Sequence, residues 1–341
     1  MKIGIVNDMA MALESLRRNV SATSGYEVAW LANSGEEAIR KCSEDKPDLI
    51  LMDMVMPDMN GAEATRQIMQ QNPCPILVVT ASVKNNQALA FDALSAGAID
   101  VVCIPTQANT DSSENQRFWK KIRNIGQLTG GGIPTAHRSQ SINNANIRSD
   151  TLIAIGASTG GPRAVTGVLS VLPEDMSAAV VVVMHVDQQF ARGMGQWMDG
   201  LSKLPVRLVA EGERPKPGEV LLAASNDHLM MNEDQTLYYS PDPVDYPYRP
   251  SIDAFFSSVE RHWHGKAIGV LLTGMGRDGA RGLKAMHQHG WWTIAQDEKS
   301  SAIYGMPRAA AEIGAASTIL ALDQIGPELI RKTGRCKAEG K

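Results

Sequence analysis

The chain has 341 residues, 43% of them hydrophobic, and a formal net charge of −4; that length suits two domains, each able to bury well over half of its unfolded surface. Charge is spread without long like-sign runs and the second half is mildly acidic, which argues against a nucleic-acid partner and against attraction to anionic lipid. Cys42, Cys74, Cys103 and Cys336 lack any zinc-ligand or C-x-x-C spacing, and apolar runs stay far below the roughly 18–20 residues of a membrane span, with no charged-then-apolar leader, so a cytoplasmic protein without membrane insertion is expected.

Through the first 125 residues, short β-prone runs alternate with stretches of helical apolar spacing. KIGIVN (2–7), EVAWLA (27–32), DLILMD (48–53), PILVVT (75–80) and AIDVV (98–102) predict strands, and helices are predicted near 11–20, 34–45, 60–71 and 85–96. Ser34 with Glu37 has the form of a capping box, and Asn60-Gly61 marks a turn. This alternation implies a doubly wound parallel sheet over 1–125. Residues 126–149, with three consecutive glycines and no sustained periodicity, read as a flexible linker.

A second α/β domain is expected over 150–335. Its predicted strands are 151–156, 179–185, 206–210, 219–224, 267–273, 292–296 and 318–320, with helices near 162–172, 189–201, 251–263, 279–289 and 307–313. The apolar runs are continuous rather than alternating, as in strands of a mostly parallel sheet covered on both faces. Between 218 and 248 the pattern is more antiparallel, with Asn226-Asp227 and Asp234-Gln235 as turns.

In such sheets ligands bind beyond the carboxyl ends of the strands. Asp8 follows the first strand, Asp53 ends the third and Thr80 ends the fourth, so these residues should meet at one rim. Asp8 and Asp53 would offer hard carboxylate oxygens to Mg²⁺, and Asp53 would attack a phosphoryl donor in line. Any one of these acids could be a solvated strand end, but the MD-x-x-MP-x-x-NG string at 52–61 adds a specific loop chemistry. Residues 1–123 thereby resemble the response-regulator receiver family. The resemblance implies a flavodoxin-like fold, Asp53 as phosphoacceptor, Asp8 as metal ligand and Thr80 as the hydroxyl that follows the phosphoryl group. Two departures stand out: Asn7-Asp8 replaces a usual pair of acids, and Ile104-Pro105 replaces a usual Lys-Pro. The missing ammonium removes a sensor of phosphoryl charge; Lys84 is either a substitute or a solvated helix-end lysine.

GASTGG (156–161) follows an apolar strand and precedes a helix that begins near Pro162. Ser158 therefore sits on a tight strand-to-helix turn, with helix-start N–H groups close by. A glycine-rich turn of this kind can also cradle a dinucleotide phosphate, but the spacing is not G-x-G-x-x-G. His185 ends one strand and Asp278 lies just past another, so serine, imidazole and carboxylate can converge on one sheet edge. A lone histidine is more often structural; this one has a partner at each neighbouring rim. The expected roles are Ser158 as nucleophile, His185 as proton acceptor and donor, and Asp278 as the group that orients the imidazole, with TGMG (273–276) presenting N–H groups to an oxyanion.

Together, GASTGGP, MH and LTGMGRDGA resemble the chemotaxis-type protein-glutamate methylesterases, with receiver, linker and catalytic domain in that order. The resemblance implies hydrolysis of glutamate γ-methyl esters on the cytoplasmic domain of methyl-accepting receptors, release of methanol, and deamidation of receptor glutamines. It further implies Met275 as an oxyanion N–H donor, Thr159 as a site-lining residue, a chemosensory-type histidine kinase as phosphodonor, no cofactor for the esterase step, and a location at receptor arrays. The NDM start, the missing lysine and HVDQQF (185–190) are similar to the Wsp-type branch, in which the array regulates a diguanylate cyclase. An unphosphorylated receiver over the Ser158 rim would exclude a bulky coiled-coil substrate, and phosphorylation would shift the population away from that state. A reading of a different class is a non-catalytic regulator or phosphate sink on the array; the complete Ser158, His185 and Asp278 set argues against it. His262, His264, His287 and His289 are spaced for packing or exposure rather than for one metal. Trp291-Trp292 reads as packing, Asp242 and Asp245 as part of a proline-stiffened surface loop, and Arg163 and Arg192 as residues that could guide an acidic partner.

Overall fold

Apolar runs bounded by capped helices build two units, residues 1–133 and 134–341. The computed structural model describes residues 1–80, 83–104, 118–119, 121–123, 125, 151–244 and 246–333, with the side chains of 83–88 left aside. The predicted linker at 126–149, Pro105, Asp245, Cys336 and the Lys84 side chain lie outside the described residues.

The first unit runs β1 (Lys2–Val6), α1 (Ala10–Ser21), β2 (Glu27–Ala32), α2 (Gly35–Glu44), β3 (Leu49–Asp53), α3 (Gly61–Gln71), β4 (Ile76–Thr80), α4 (Val83–Ala96) and β5 (Asp100–Cys103). Its five strands pair in the order β2-β1-β3-β4-β5, all parallel. Every residue of β3 and β4 is buried, as their unbroken apolar runs require. Ser34 caps α2 by accepting the Glu37 N–H at 3.1 Å, while the Glu37 carboxylate reaches back to the Asn33 N–H at 2.8 Å, one residue earlier than in a standard capping box. Asn60 caps α3 by accepting the Glu63 N–H at 2.9 Å. Gly61 is pressed so closely onto β3 that a Cβ there would lie 2.0 Å from the Asp53 carbonyl oxygen, which fixes the loop beside that aspartate.

The second unit runs β6 (Thr151–Ala157), α5 (Gly161–Leu169), β7 (Ala178–Met184), α6 (Gln188–Asp199), β8 (Val206–Leu208), β9 (Val220–Leu222), β10 (His228–Met231), β11 (Leu237–Ser240), α7 (Ile252–His262), β12 (Lys266–Leu271), α8 (Ala280–Gln288), β13 (Trp292–Gln296), α9 (Met306–Glu312), β14 (Thr318–Leu320) and α10 (Leu322–Thr333). Seven strands form one sheet in the order β14-β13-β12-β6-β7-β9-β8, and all its pairs are parallel. After β6 the chain winds one way through β7, and it returns on the other side at β12, so the crevice of a doubly wound sheet opens at β6. The antiparallel character expected near 218–248 resolves into the β10–β11 hairpin, whose turn holds Gln235 at φ 62°. Helix α10, with Pro327 inside it, is absent from the sequence-based expectation; a Cβ on its Gly326 would come within 2.2 Å of Val171.

The core of this unit gathers Ile252, Phe255 and Phe256 of α7 with Leu271 and Leu283. Helix α7 lies on β6 without a gap: a Cβ on Gly156 would meet Ile252 Cγ2 at 2.3 Å and the Phe256 ring at 3.2 Å. Gly156→Ala should therefore overpack this contact and destabilise the unit by about 1–3 kcal/mol. Urea denaturation of the two proteins checks it; an unchanged midpoint would mean that α7 yields freely.

Candidate active site

In the first unit, register places Asp53 between β1 and β4, so the carboxyl ends bring Asp8, Asp53 and Thr80 to one rim. Asp53 is only 9% exposed, and its Oδ1 accepts the Met54 N–H at 2.7 Å. Burial, with the negative charge of Asp8 added, pushes the Asp53 carboxyl up to about 6 against the pull of that hydrogen bond. Asp8 is exposed and Thr80 is buried. The Asn7 side chain is buried and its Oδ1 accepts the Met9 N–H at 2.9 Å, so it orders the loop. Two carboxylates in an oxygen-rich rim fit a small hard cation that keeps several waters. Among the described residues no cluster of three or more His, Cys, Asp or Glu side chains is assembled for a metal. Ile104 brings an aliphatic side chain to the end of β5, with its N–H on the Thr80 carbonyl at 2.9 Å. Lys121 is tied to Asp100 at 2.7 Å and to the Val101 carbonyl at 2.8 Å, at the opposite, amino end of that strand.

In the second unit the crevice brings together the three residues singled out in the sequence. Ser158 follows β6, His185 follows β7 and Asp278 lies in the loop after β12. His185 Nδ1 is 3.0 Å from Ser158 Oγ, and its Nε2 is 2.7 Å from Asp278 Oδ2. With Nε2–H donated to the carboxylate, Nδ1 keeps its lone pair toward the serine hydroxyl. The ring thus presents its nitrogens in the opposite sense from serine proteases, where Nδ1 faces the acid. Backbone strain at the turn falls on Gly160, at φ +78°, and not on Ser158.

Asp278 is buried where the first turn of α7 begins. It accepts the Ile252 N–H at 2.7 Å, the Asp253 N–H at 3.1 Å and the Ser251 hydroxyl at 2.8 Å. Burial alone would raise its carboxyl, but the His185 hydrogen bond and charge, with these α7 donors, hold it below the usual carboxylate value. Ser251 is held in turn: its N–H donates to Nδ1 of the fully buried His228 at 3.0 Å, and His228 Nε2 reaches the Pro243 carbonyl at 3.2 Å. Sequence reasoning missed Ser251 and His228. The signal for Ser251 was its N-cap position before an apolar helix; a single histidine in a hairpin gave none for His228.

The loop after β12 is drawn tightly against the nucleophile. A Cβ on Gly274 would lie 2.7 Å from Ser158 Cβ. Gly274 accepts the Gly305 and Met306 N–H groups at 3.1 and 2.7 Å and donates to the Ile303 carbonyl at 3.0 Å. The Ser158 N–H is occupied by the Thr273 carbonyl at 3.0 Å, and Thr273 Oγ1 donates to the Thr159 carbonyl at 3.0 Å. Among the described residues no hydrogen bond engages the N–H of Met275, the residue that follows Gly274. Thr159 itself is buried directly beside the serine. Tyr248, which the sequence analysis did not single out, stacks on His185 with ring centroids 4.4 Å apart. It also helps to line a pocket of about 520 Å³ with Tyr246, Arg277, Asp278, Arg281 and Ile313.

Three further histidines make polar contacts away from the site. His287 meets Ser317 at 3.2 Å, His289 meets Glu260 at 3.1 Å and His264 meets Gln235 at 2.9 Å. Trp292 carries the Lys332 ammonium over its ring, and Arg163 and Arg192 are exposed on α5 and α6.

Residues 153–329 match the CheB methylesterase family, and residues 3–110 match the response regulator receiver domain. A protein-glutamate methylesterase/protein-glutamine glutaminase 2 of Cupriavidus metallidurans is 52% identical, over 98% of this chain and 99% of its own length. The protein of the same description from Burkholderia lata is also 52% identical, over 98% and 99%. The crystal structure of the Thermotoga maritima CheB methylesterase catalytic domain is similar with a TM-score of 0.52 and 31% identity, over 54% of this chain and 99% of that one.

The raised Asp53 carboxyl has a consequence for stability. The folded protein holds this proton up to about pH 6, whereas the unfolded chain releases it near the ordinary value of about 3.9, so stability is lost as pH rises through that window. Asp53→Asn should strengthen the metal-free receiver unit by about 3 kcal/mol at pH 7.5 and leave it unchanged near pH 3. Hydrogen-exchange protection of the β1 and β3 amides reads this directly; equal protection of both proteins at pH 7.5 would contradict it.

Proposed function

The chain belongs to the CheB methylesterase family and carries a response regulator receiver domain, and from that membership we propose that it is a phosphorylation-regulated serine hydrolase acting on methyl-accepting receptors. It removes the methyl group from glutamate γ-methyl esters as methanol and deamidates receptor glutamines, as the names of its 52% identical relatives describe for those proteins. The observation that carries the reading is the hydrogen-bonded line from Ser158 through His185 to Asp278, with steps of 3.0 and 2.7 Å.

The chemistry follows from that line. Ser158 Oγ attacks the ester carbonyl while its proton passes to His185 Nδ1, and Asp278 steadies the imidazolium through Nε2. The carbonyl oxygen becomes an oxyanion, and the Met275 N–H is the donor that meets it; Thr159 lines the same space. Collapse expels methoxide, which takes the proton from His185 and leaves as methanol. Water, deprotonated by His185, then attacks the acyl-enzyme, and the proton returns to Ser158 as the glutamate is released. For a glutamine substrate the same steps expel ammonia.

Regulation enters through Asp53. A chemosensory-type histidine kinase supplies the phosphoryl group, and Thr80 is the hydroxyl that follows it. Asp8 and Asp53 would hold Mg²⁺, which when bound supplies charge neutralisation for the transferring phosphoryl oxygens. No helix among the described residues is long and apolar enough to cross a membrane, in keeping with a cytoplasmic enzyme that works on the receptor array from the solution side. Asn7, Ile104 and the HVDQQF segment support assignment to the Wsp-type branch, whose array controls a diguanylate cyclase.

The test is methanol release from a methylated receptor cytoplasmic fragment, with and without acetyl phosphate and Mg²⁺. Ser158→Ala should lower turnover by about 10⁴-fold or more while fragment binding persists. Asp53→Ala should retain basal turnover and lose the stimulation by acetyl phosphate. Binding of the fragment by the wild type without any methanol release would instead support a non-catalytic regulator.

A further inference from the structure

The His185 imidazole is hydrogen-bonded at Nε2 to Asp278 and at Nδ1 to the Ser158 hydroxyl, and neither bond bears on the face of the ring. The constraint on the face is Tyr248. Its ring lies on the imidazole with centroids 4.4 Å apart and planes only 6° from parallel. The tyrosine is fixed from its far end as well, because Gly276 makes room for it: a Cβ there would lie 2.6 Å from the Tyr248 hydroxyl oxygen. A flat face against a flat face fixes the plane of the ring and keeps Nδ1 aimed at Ser158 Oγ. The contact also depends on charge. When the ring takes up the serine proton it becomes a cation over an aromatic face, and the attraction is stronger in that state than in the resting one.

We propose that Tyr248 is a positioning residue for the esterase reaction: it holds the plane of the His185 ring so that Nδ1 faces Ser158 and Nε2 faces Asp278, and it holds the charged ring more tightly than the neutral one. The inference rests on the hydrolase reading above. It differs from a purely structural role because it depends on the aromatic face and not on the hydroxyl or on side-chain volume alone.

The experiment compares full-length wild type with Tyr248→Phe, Tyr248→Leu and Tyr248→Gln. Methanol release gives kcat and KM, and ¹⁵N spectra of the histidine side chains, assigned with His185→Gln, give the imidazole tautomer. The expected result is a fall in kcat of about 10-fold for the Leu and Gln variants with KM little changed, and wild-type kinetics for Phe. In the spectra, wild type and Phe should show His185 as the Nε2–H tautomer, and Leu and Gln a mixture. Leu and Gln variants with wild-type kcat and one tautomer would overturn the proposal, as would a Phe variant as impaired as they are. Should the wild type release no methanol, the hydrolase reading falls, and the tautomer spectra still decide whether Tyr248 holds the ring.

Discussion

The negative charge of Asp278 is almost wholly removed from water, at 6% exposure, and the site is built around keeping it ionised. A bare carboxylate there would take up a proton rather than bear the cost of desolvation. The fold answers with the start of α7: two backbone N–H groups and the Ser251 hydroxyl converge on the two oxygens, and His185 completes the set. Helix-start donors carry partial positive charge, so the stabilisation is electrostatic as well as geometric. Much else in the unit can be traced to this contact. Gly156 lets α7 lie on the sheet, His228 fixes Ser251, and Asp253 ties α7 to α8 through the Gly282 N–H at 2.8 Å.

Close backbone approach is the second constraint, and it recurs in both units. Gly61 lets α3 begin against the Asp53 carbonyl, and Gly274 lets the loop after β12 touch Ser158. In each case a strand ends at a polar side chain and a glycine on another segment clears its flank. The pairing with the Thr273 carbonyl takes the Ser158 N–H out of use, whereas no hydrogen bond among the described residues engages the Met275 N–H on the neighbouring loop. Ile303, Gly305 and Met306 anchor that loop through Gly274, and a donor on an anchored loop needs no reorientation to act.

The receiver unit shows a different balance. Asp53 sits in a poorly solvated rim beside a second acid, and its carboxyl is raised to about 6. The two acids repel, so the resting rim favours whatever brings positive charge. Asn7 contributes an amide that is already committed to the Met9 N–H, Ile104 contributes no charge, and Lys121 is bound at the other end of β5. The Lys84 side chain lies outside the described residues.

How much was legible in the sequence differs by the range of the interaction involved. Strands β1, β3, β4, β6, β7, β12 and β13 were readable because a buried parallel strand must be a short unbroken apolar run, and the cap at Ser34 because a helix start needs an oxygen within three residues, whereas Asn60 was read only as part of a turn. Ser158, His185 and Asp278 were readable as strand-end residues of one sheet. The sequence did not specify which imidazole nitrogen faces which partner, since ring orientation depends on where the carboxylate sits in space. Nor did it point to Ser251, His228 or Tyr248, which lie 93, 70 and 90 residues from the serine along the chain and acquire meaning only when α7 and the hairpin fold back over the crevice. Helix α10, absent from the sequence-based expectation, contains Gly326-Pro327, a pair that breaks a free helix but fits one pressed onto Val171. Local periodicity and capping, which act within a few residues, were thus determined by the sequence alone; the orientation and ionisation of the reactive groups were decided by tertiary structure, because both depend on charges and surfaces brought from distant parts of the chain.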